Sequence, residues 1–397
     1  MNNIIILGDP HIGKSTNIGK AGIGTSLNSR IADQLDLLDW TLEQAINQEA
    51  NHIIITGDVF DDPKPHPSLI TLFMSWLNKC RIHNVFIHII LGNHDILRSG
   101  NELYSPLDII TEAELDNVSI YKNINTICIG TAAFTMVPFK DRKSLNSSSN
   151  SAALTIIQDS LIYELASIPV TYRKILVGHL AIEGSIPIGD EIDDINNELF
   201  CPINMFKGYD YVWMGHVHKP QVMAKNPFVS HIGSMDISNF GETDQKKHII
   251  VYDCDSGLFR NMDIPTRPLK KISISVPKSV KKTTEYVIKE LKRIDDVFDR
   301  AIVRVEVHLE SSDLKSINKS NIEKFLISKG AFSVAGIFES KKVSVIKKDV
   351  NNVLDTKMDM TSAIKTYANV YVDEKMRSDF MSLAIDIYNT YRSEVKD

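Results

Sequence analysis

Residues able to ligate divalent metals recur in five short motifs, each inside or just after an apolar run: Asp9 and His11 in LGDPH, Asp58 in GDVFD, Asn93 and His94 in GNHD, His179 in VGHL, and His216 and His218 in MGHVH. Carboxylate, carboxamide and imidazole donors at loop tips after successive strands suit two neighbouring cations, an arrangement that cleaves phosphate esters. Asp9 and His11 stand two apart directly after a strand, so an extended backbone directs both side chains to one ion. In GDVFD, Gly57 permits a tight strand exit and Asp58 can bridge two ions, while Asp61 is expected to steady the loop. Asn93 offers a neutral oxygen, leaving His94 to contact substrate as a catalytic group and Asp95 to orient its ring. His179, His216 and His218 complete the two shells. The other histidines, including His52, His66, His83, His88, His231 and His248, fall outside the pattern and read as core or surface residues.

A competing motif overlaps the first. Residues 8–15, GDPHIGKS, satisfy the phosphate-loop pattern G-x-x-x-x-G-K-[ST] letter for letter, with Gly8, Gly13, Lys14 and Ser15. Such a loop needs backbone amides aimed at phosphate, yet Asp9 brings like charge, Pro10 has no N–H, and the glycine-rich STNIGKAGIGTSLN follows where a helix should begin. ATP binding is therefore set aside in favour of metal ligation.

The elements that must position these donors are legible in the hydrophobic pattern. Short β-branched runs, NIIIL, HIIITG, VFIHIILG, TICIG, KILVGH and YVWMGH, each feed a glycine or a ligand. Amphipathic ADQLDLLDWTLEQAINQ and LITLFMSWLNKC lie between the first three runs, which indicates an α/β fold with its chemistry at the C-terminal ends of strands. HIIVYD and LFRNMDIP look like strands finishing that domain, and Pro265 and Pro268 mark a boundary, giving a catalytic domain over 1–265. Beyond it LKKISISVP, TTEYVIKELKRI, RAIVRVEVHL, NKSNIEKFLISKG and VAGIFESKKVS predict a small α+β domain over 266–350. Residues 351–397 read as a helical tail in which Met376, Phe380, Leu383, Ala384, Ile387 and Tyr391 share one apolar face, suited to packing on its own domain or to docking a partner.

The 397 residues are 43% hydrophobic and 24% charged, ordinary for a soluble protein, and no stretch is apolar enough to span a bilayer, so a cytoplasmic location is expected. Cys80, Cys128, Cys201 and Cys254 form no CxxC pair and read as thiols. The net charge of −6 hides an asymmetry: residues 1–265 carry 19 Lys and Arg against 31 Asp and Glu, net −12, and residues 266–397 carry 25 against 19, net +6. Two bound divalent ions would still make the acidic part attractive to phosphate.

In these motifs the sequence resembles the calcineurin-like metallophosphoesterases, whose D-x-H, GDxxD, GNH[DE], H and GHxH series appears as Asp9 to His11, Gly57 to Asp61, Gly92 to Asp95, His179, and Gly215 to His218. Within that superfamily GDVFD, GNHD, MGHVHKP and HIGSMDISNFGE resemble the SbcD/Mre-type DNA repair nuclease subunit, most of all the recombination endonuclease subunit of large phages. The resemblance implies a β-sandwich flanked by helices, a small α+β domain capping DNA, and a helical tail. It assigns Asp9, His11 and His218 to one metal, Asn93, His179 and His216 to a second, Asp58 to both, and to His94 either protonation of the leaving 3′ oxygen or stabilisation of the phosphate's transition state. It also implies a Mn²⁺-dependent 3′-5′ exonuclease on duplex DNA and endonuclease on single strands, with Mg²⁺ as the other candidate ion, working as a homodimer with an SMC-like ATPase of the SbcC/Rad type in recombination, repair or replication. If phage-encoded, it would act in the host cytoplasm. Met235 and Asp236 stand where relatives often have Pro and Arg or Thr, and a glycine-rich insertion follows His11.

Lys14, Lys20, Arg98, Lys140, Arg142 and Lys143 are candidate phosphate contacts, with plain surface charge as the alternative. The alternative function is a phosphatase or phosphodiesterase acting on a protein or small molecule, which the −12 segment favours. A noncatalytic scaffold is disfavoured because no donor of the matched motifs is missing.

Overall fold

The computed structural model describes residues 3–14, 18–20, 27–99, 102–187, 198–294 and 298–341, and 364, 365, 367, 368, 372 and 376–394 beyond them. Most of the glycine-rich stretch after Lys14, residues 342–344 of the expected last strand and the tail from Asp355 to 363 lie outside the described residues.

Two six-stranded sheets face each other. In the first, β1 (Asn3–Leu7), β2 (Ala50–Ile55), β3 (Phe86–Ile90) and β6 (Val118–Tyr121) are parallel neighbours, and β15 (His248–Asp253) and β16 (Leu258–Asp263) extend it antiparallel from β1. In the second, β8 (Ala132–Val137), β9 (Arg173–Gly178), β12 (Tyr211–Met214) and β14 (Phe228–His231) are parallel, edged by antiparallel β7 (Asn125–Ile129) and β13 (Gln221–Lys225). Two short ladders, β4 (Leu97–Ser99) with β5 (Glu102–Tyr104) and β10 (Ala181–Ile182) with β11 (Phe200–Cys201), lie in connections.

The continuous apolar runs are explained by burial on both faces. In β1, Ile5 and Leu7 point to helices α1 (Ser29–Asn47) and α2 (Pro67–Ile82), while Ile4 and Ile6 point to the second sheet. Trp213 of β12 likewise faces the first sheet, and its neighbours Val212 and Met214 pack under α4 (Asn150–Ser167). Each such side chain contributes about 1.5–3 kcal/mol by leaving water. The fold is thus the helix-flanked β-sandwich that the resemblance implies, with a short α3 (Asp108–Glu112) also on the outer face of the first sheet. The apolar stripe of α2 is core: Phe73, Trp76, Leu77 and Cys80 are buried beneath it.

A separate sheet of β17 (Leu269–Val276), β18 (Ile302–Leu309) and β19 (Ser333–Lys341) accompanies α5 (Thr283–Lys292) and α6 (Lys319–Ser328). Residue alternation in LKKISISV buries Ile272, Ile274 and Val276 on one face. By internal contacts the chain divides into two compact units: Met1–Ile274, Lys282–Val307 and Ser316–Glu339, and Ser275–Lys281, His308–Lys315 and Ser340–Asp397. All five ligand motifs lie in the first. The second contains α7 (Arg377–Glu394), beside which Met376 and on which Phe380, Leu383 and Ile387 are 65%, 36%, 63% and 62% exposed. Among the described residues, no helix is long and apolar enough to cross a membrane.

Candidate metal centre

The loops that leave β1, β2 and β3 in one sheet, and β9 and β12 in the other, meet at one end of the sandwich. Parallel strands deliver their C-terminal ends to the same edge, so five motifs far apart in sequence become neighbours. Three donor residues sit at left-handed backbone angles, His11 (φ 44°), Asp58 (φ 47°) and His216 (φ 74°), a conformation that costs each of them about 1–3 kcal/mol and marks a constrained site. Gly92 and Gly215 stand where any Cβ would collide with Asp58 Oδ1 and Asp9 Oδ1 respectively.

Two groups of donors result. In one, His11 Nε2 and His218 Nε2 face each other at 2.9 Å beside Asp9. In the other, Asn93 Oδ1 lies 2.9 Å from His179 Nε2 and 3.0 Å from His216 Nδ1. Asp58 joins them, its Oδ2 3.2 Å from His179 Nε2 and 3.6 Å from His11 Nε2. Ring nitrogens and acid oxygens converging in this way, all nearly sealed from water, fit divalent cations: their lone pairs repel unless a positive charge lies between them.

The electrostatics agree. Burial opposes its charge, yet His179, His11 and His94 hold the Asp58 carboxyl well below the usual carboxylate range. Burial lowers His179 too, but Asp58 and Asp9 carry it up to about 10; a metal held here would take the place of that proton. Burial and the adjacent Asp58 push Asp95 up to about 7, a conflict that a cation beside Asp58 relieves.

Supporting contacts fix the donors. Asp9 Oδ1 accepts from Thr56 Oγ1 at 2.7 Å and its Oδ2 from the His216 amide at 2.6 Å, while Thr56 O lies 2.9 Å from His179 Nδ1. His94 packs edge-on against His11, centroids 4.9 Å apart, and its Nδ1 lies 2.7 Å from Asp61 O, so Nε2 is the nitrogen left for substrate. Here the structure corrects the expected role of Asp95. Its carboxylate does not orient the His94 ring; it accepts from the amides of Val59 (3.0 Å), Phe60 (3.4 Å) and Gly92 (3.0 Å), tying two ligand loops together. The Asp61 carboxylate reaches across to the first ligand loop rather than into its own, its Oδ1 lying 3.4 Å from His11 Nδ1 and 3.5 Å from Lys14 Nζ.

The phosphate-loop pattern is ruled out as a nucleotide site. The amides of His11 and Ile12 donate to Asp58 O (2.9 Å) and Val59 O (2.8 Å), Gly13 N donates to Gln34 Oε1 (3.0 Å), and the next described helix starts only at Ser29. Of the candidate phosphate contacts, Lys20 Nζ donates to Phe332 O at 2.9 Å and Lys140 Nζ to Lys122 O at 3.1 Å; the side chain of Arg98 is outside the described residues.

The outlying histidines take structural places. His66 caps α2, accepting from Ser68 N at 3.2 Å; His231 Nδ1 lies 2.9 Å from Gly215 O under the last ligand loop; His52 and His88 pair within the sandwich. Met235, the unusual residue of the Gly-Ser stretch, donates its amide to Asp9 O at 2.9 Å, and Asp236 accepts from buried Arg30 at 2.5 Å.

A family model described as Calcineurin-like phosphoesterase matches residues 3–220, which takes in all five motifs. The chain belongs to that family. As a calcineurin-like phosphoesterase it is a metal-dependent hydrolase of the nuclease or phosphoesterase kind. Among its relatives, the SbcD component of the SbcCD nuclease from Staphylococcus saprophyticus is 25% identical over 280 residues, 68% of this chain and 70% of its own length. The corresponding SbcD protein of Escherichia coli K12 is 24% identical over 264 residues, 61% of this chain and 65% of its own length. A solved dimetal phosphatase from Danio rerio covers 66% of this chain and 98% of its own at 12% identity, with a TM-score of 0.39, too loose a match to inform the chemistry.

Several site residues escaped the sequence. Thr56 looked like the end of a strand, Glu198 lies outside every motif, and Lys247 gave no signal, although its fully buried ammonium bridges His218 O (2.8 Å), Ser234 Oγ (2.9 Å) and Glu242 Oε2 (2.6 Å). Only Glu242 had a cue, as the acid ending NFGE.

Proposed function

We propose that this phosphoesterase is a DNA nuclease that hydrolyses phosphodiester bonds with two divalent ions, Mn²⁺ preferred, one held by Asp9, His11 and His218, the other by Asn93, His179 and His216, and both by Asp58. The observation that carries it is the position of Asp58 Oδ2 between His179 and His11, the place of a bridging ligand. Bound there, the ions supply an activated water and positive charge against the phosphate. The chain's residues do the rest: His94, fixed through Nδ1 by Asp61 O, offers Nε2 to protonate the leaving 3′ oxygen. Asp95 keeps the loops carrying Asp58 and Asn93 at the required spacing.

The names of the SbcCD relatives support DNA as substrate, with duplex ends and single strands as its forms. Residues 266–350 serve as the cap on DNA, and the exposed Met376, Phe380, Leu383 and Ile387 in 351–397 dock an SMC-like ATPase, which supplies the ATP hydrolysis. Dimerisation belongs to the same reading.

The test is cleavage of linear duplex DNA, single-stranded DNA and nitrophenyl phosphate by purified chain with Mn²⁺ and no ATP, alongside metal content. Two metals per chain with DNA cleavage is the expected result. Hydrolysis of the small ester with no cleavage of any DNA makes the chain a phosphatase instead.

A further inference from the structure

The four ligand imidazoles differ in what holds them. His179 Nδ1 has the Thr56 carbonyl at 2.9 Å, His11 Nδ1 has the partly exposed Asp61 at 3.4 Å, and His218 Nδ1 has Glu242 at 3.9 Å. His216 presents Nδ1 to Asn93, and its Nε2 is buried. Among the described residues the carboxylate that reaches that nitrogen is Glu198, with Oε1 2.8 Å away, an approach off the ideal hydrogen-bond direction; the two side chains are 3% and 8% exposed. The ring's face is covered by Phe139, centroids 5.9 Å apart.

Charge is distributed unequally as well. The group of Asp9, His11 and His218 owns a carboxylate, whereas Asn93, His179 and His216 bring none of their own: Asp58 Oδ2 reaches His179 Nε2 at 3.2 Å, and Asp9 Oδ1 approaches the other nitrogen of that ring, Nδ1, at 3.6 Å. We infer that Glu198 is a positioning residue for the second cation. By accepting the proton on His216 Nε2 it fixes the tautomer whose Nδ1 lone pair faces Asn93, and it adds through the ring the negative charge that this donor group lacks. Glu198 touches no substrate. The inference rests on the two-ion reading above.

Calorimetric Mn²⁺ titration of the full chain, its Glu198→Gln variant and a Glu183→Gln control on the exposed strand end beside it tests this. In Glu198→Gln one of the two binding events should weaken about 10–100-fold while the other stays as in wild type. The metal-free variant should unfold at the wild-type temperature, cleavage should return at saturating Mn²⁺, and the control should titrate as wild type. An unchanged titration overturns the inference. So does equal weakening of both events or a lowered unfolding temperature without metal, since either makes Glu198 a general structural residue. A single binding event in the wild type would instead overturn the two-ion reading itself.

Discussion

Gly215→Ala adds one methyl group directly against the Asp9 carboxylate. Gly215 does not have a left-handed backbone, so the alanine brings no conformational strain and its whole effect is steric. The new Cβ would lie far inside contact distance of Asp9 Oδ1 and against Thr56 Oγ1, and both must retreat. Asp9 cannot do so freely, because its carboxylate is held by Thr56 Oγ1 at 2.7 Å and by the His216 amide at 2.6 Å. Overpacking a dense interior costs about 1–3 kcal/mol, and loss of one hydrogen bond to a buried carboxylate about 1.5–3 kcal/mol. The variant should therefore lose roughly 2.5–6 kcal/mol in denaturant unfolding of the metal-free protein followed by tryptophan fluorescence, with the slope unchanged. Its Mn²⁺ affinity should fall with the displaced Asp9. Gly184→Ala, at φ 83° with nothing within 4 Å, is the matched control: it should cost only about 1 kcal/mol of backbone strain and leave Mn²⁺ binding alone. Wild-type Mn²⁺ affinity in Gly215→Ala would refute the placement of Asp9 in the metal centre.

Three further outcomes are expected. His94→Ala should keep most metal and substrate affinity yet lose about 10²–10⁴ in turnover, whereas Asp58→Ala should lose the paired site; equal metal loss in both would remove the separate role of His94. Burial and the facing His52 push His88 down to about 3, so it stays neutral when folded while the unfolded residue takes up a proton below its ordinary 6.5; the stability present above 6.5 is lost as pH falls toward 3. At pH 4.5 that protonation opposes folding by roughly 3 kcal/mol, and a His88→Gln variant should lack this part of the pH dependence in unfolding titrations, while identical profiles would show His88 is not the source. Deleting residues 355–397 should spare Mn²⁺-dependent cutting of short single-stranded DNA and abolish co-purification with the ATPase, and normal ATPase binding by the soluble truncation would count against tail docking.

The site was legible wherever a donor follows a strand with strong periodicity. NIIIL, HIII and VFIHII announce strands buried on both faces, and their motifs lie within a few residues of the chain's turn. Strand β8, AAFTMV, and helix α4 gave no comparable signal. Ala132, Ala133 and Met136 in β8 interrupt any β-branched run although every residue is buried, and α4 has apolar residues all round, leaving Ile162 and Tyr163 exposed, so no single stripe stands out. Supporting groups such as Thr56, Lys247 and Asp95 were misread or missed for a different reason. Their partners are backbone atoms and side chains from other loops, and only the folded chain brings these within hydrogen-bonding distance.

Anomalous diffraction from crystals grown with Mn²⁺ tests the central claim most directly. Two peaks per chain are expected, one among Asp9, His11 and His218 and one among Asn93, His179 and His216, each within bonding distance of Asp58. A single peak, or a pair that leaves Asp58 out, would contradict it.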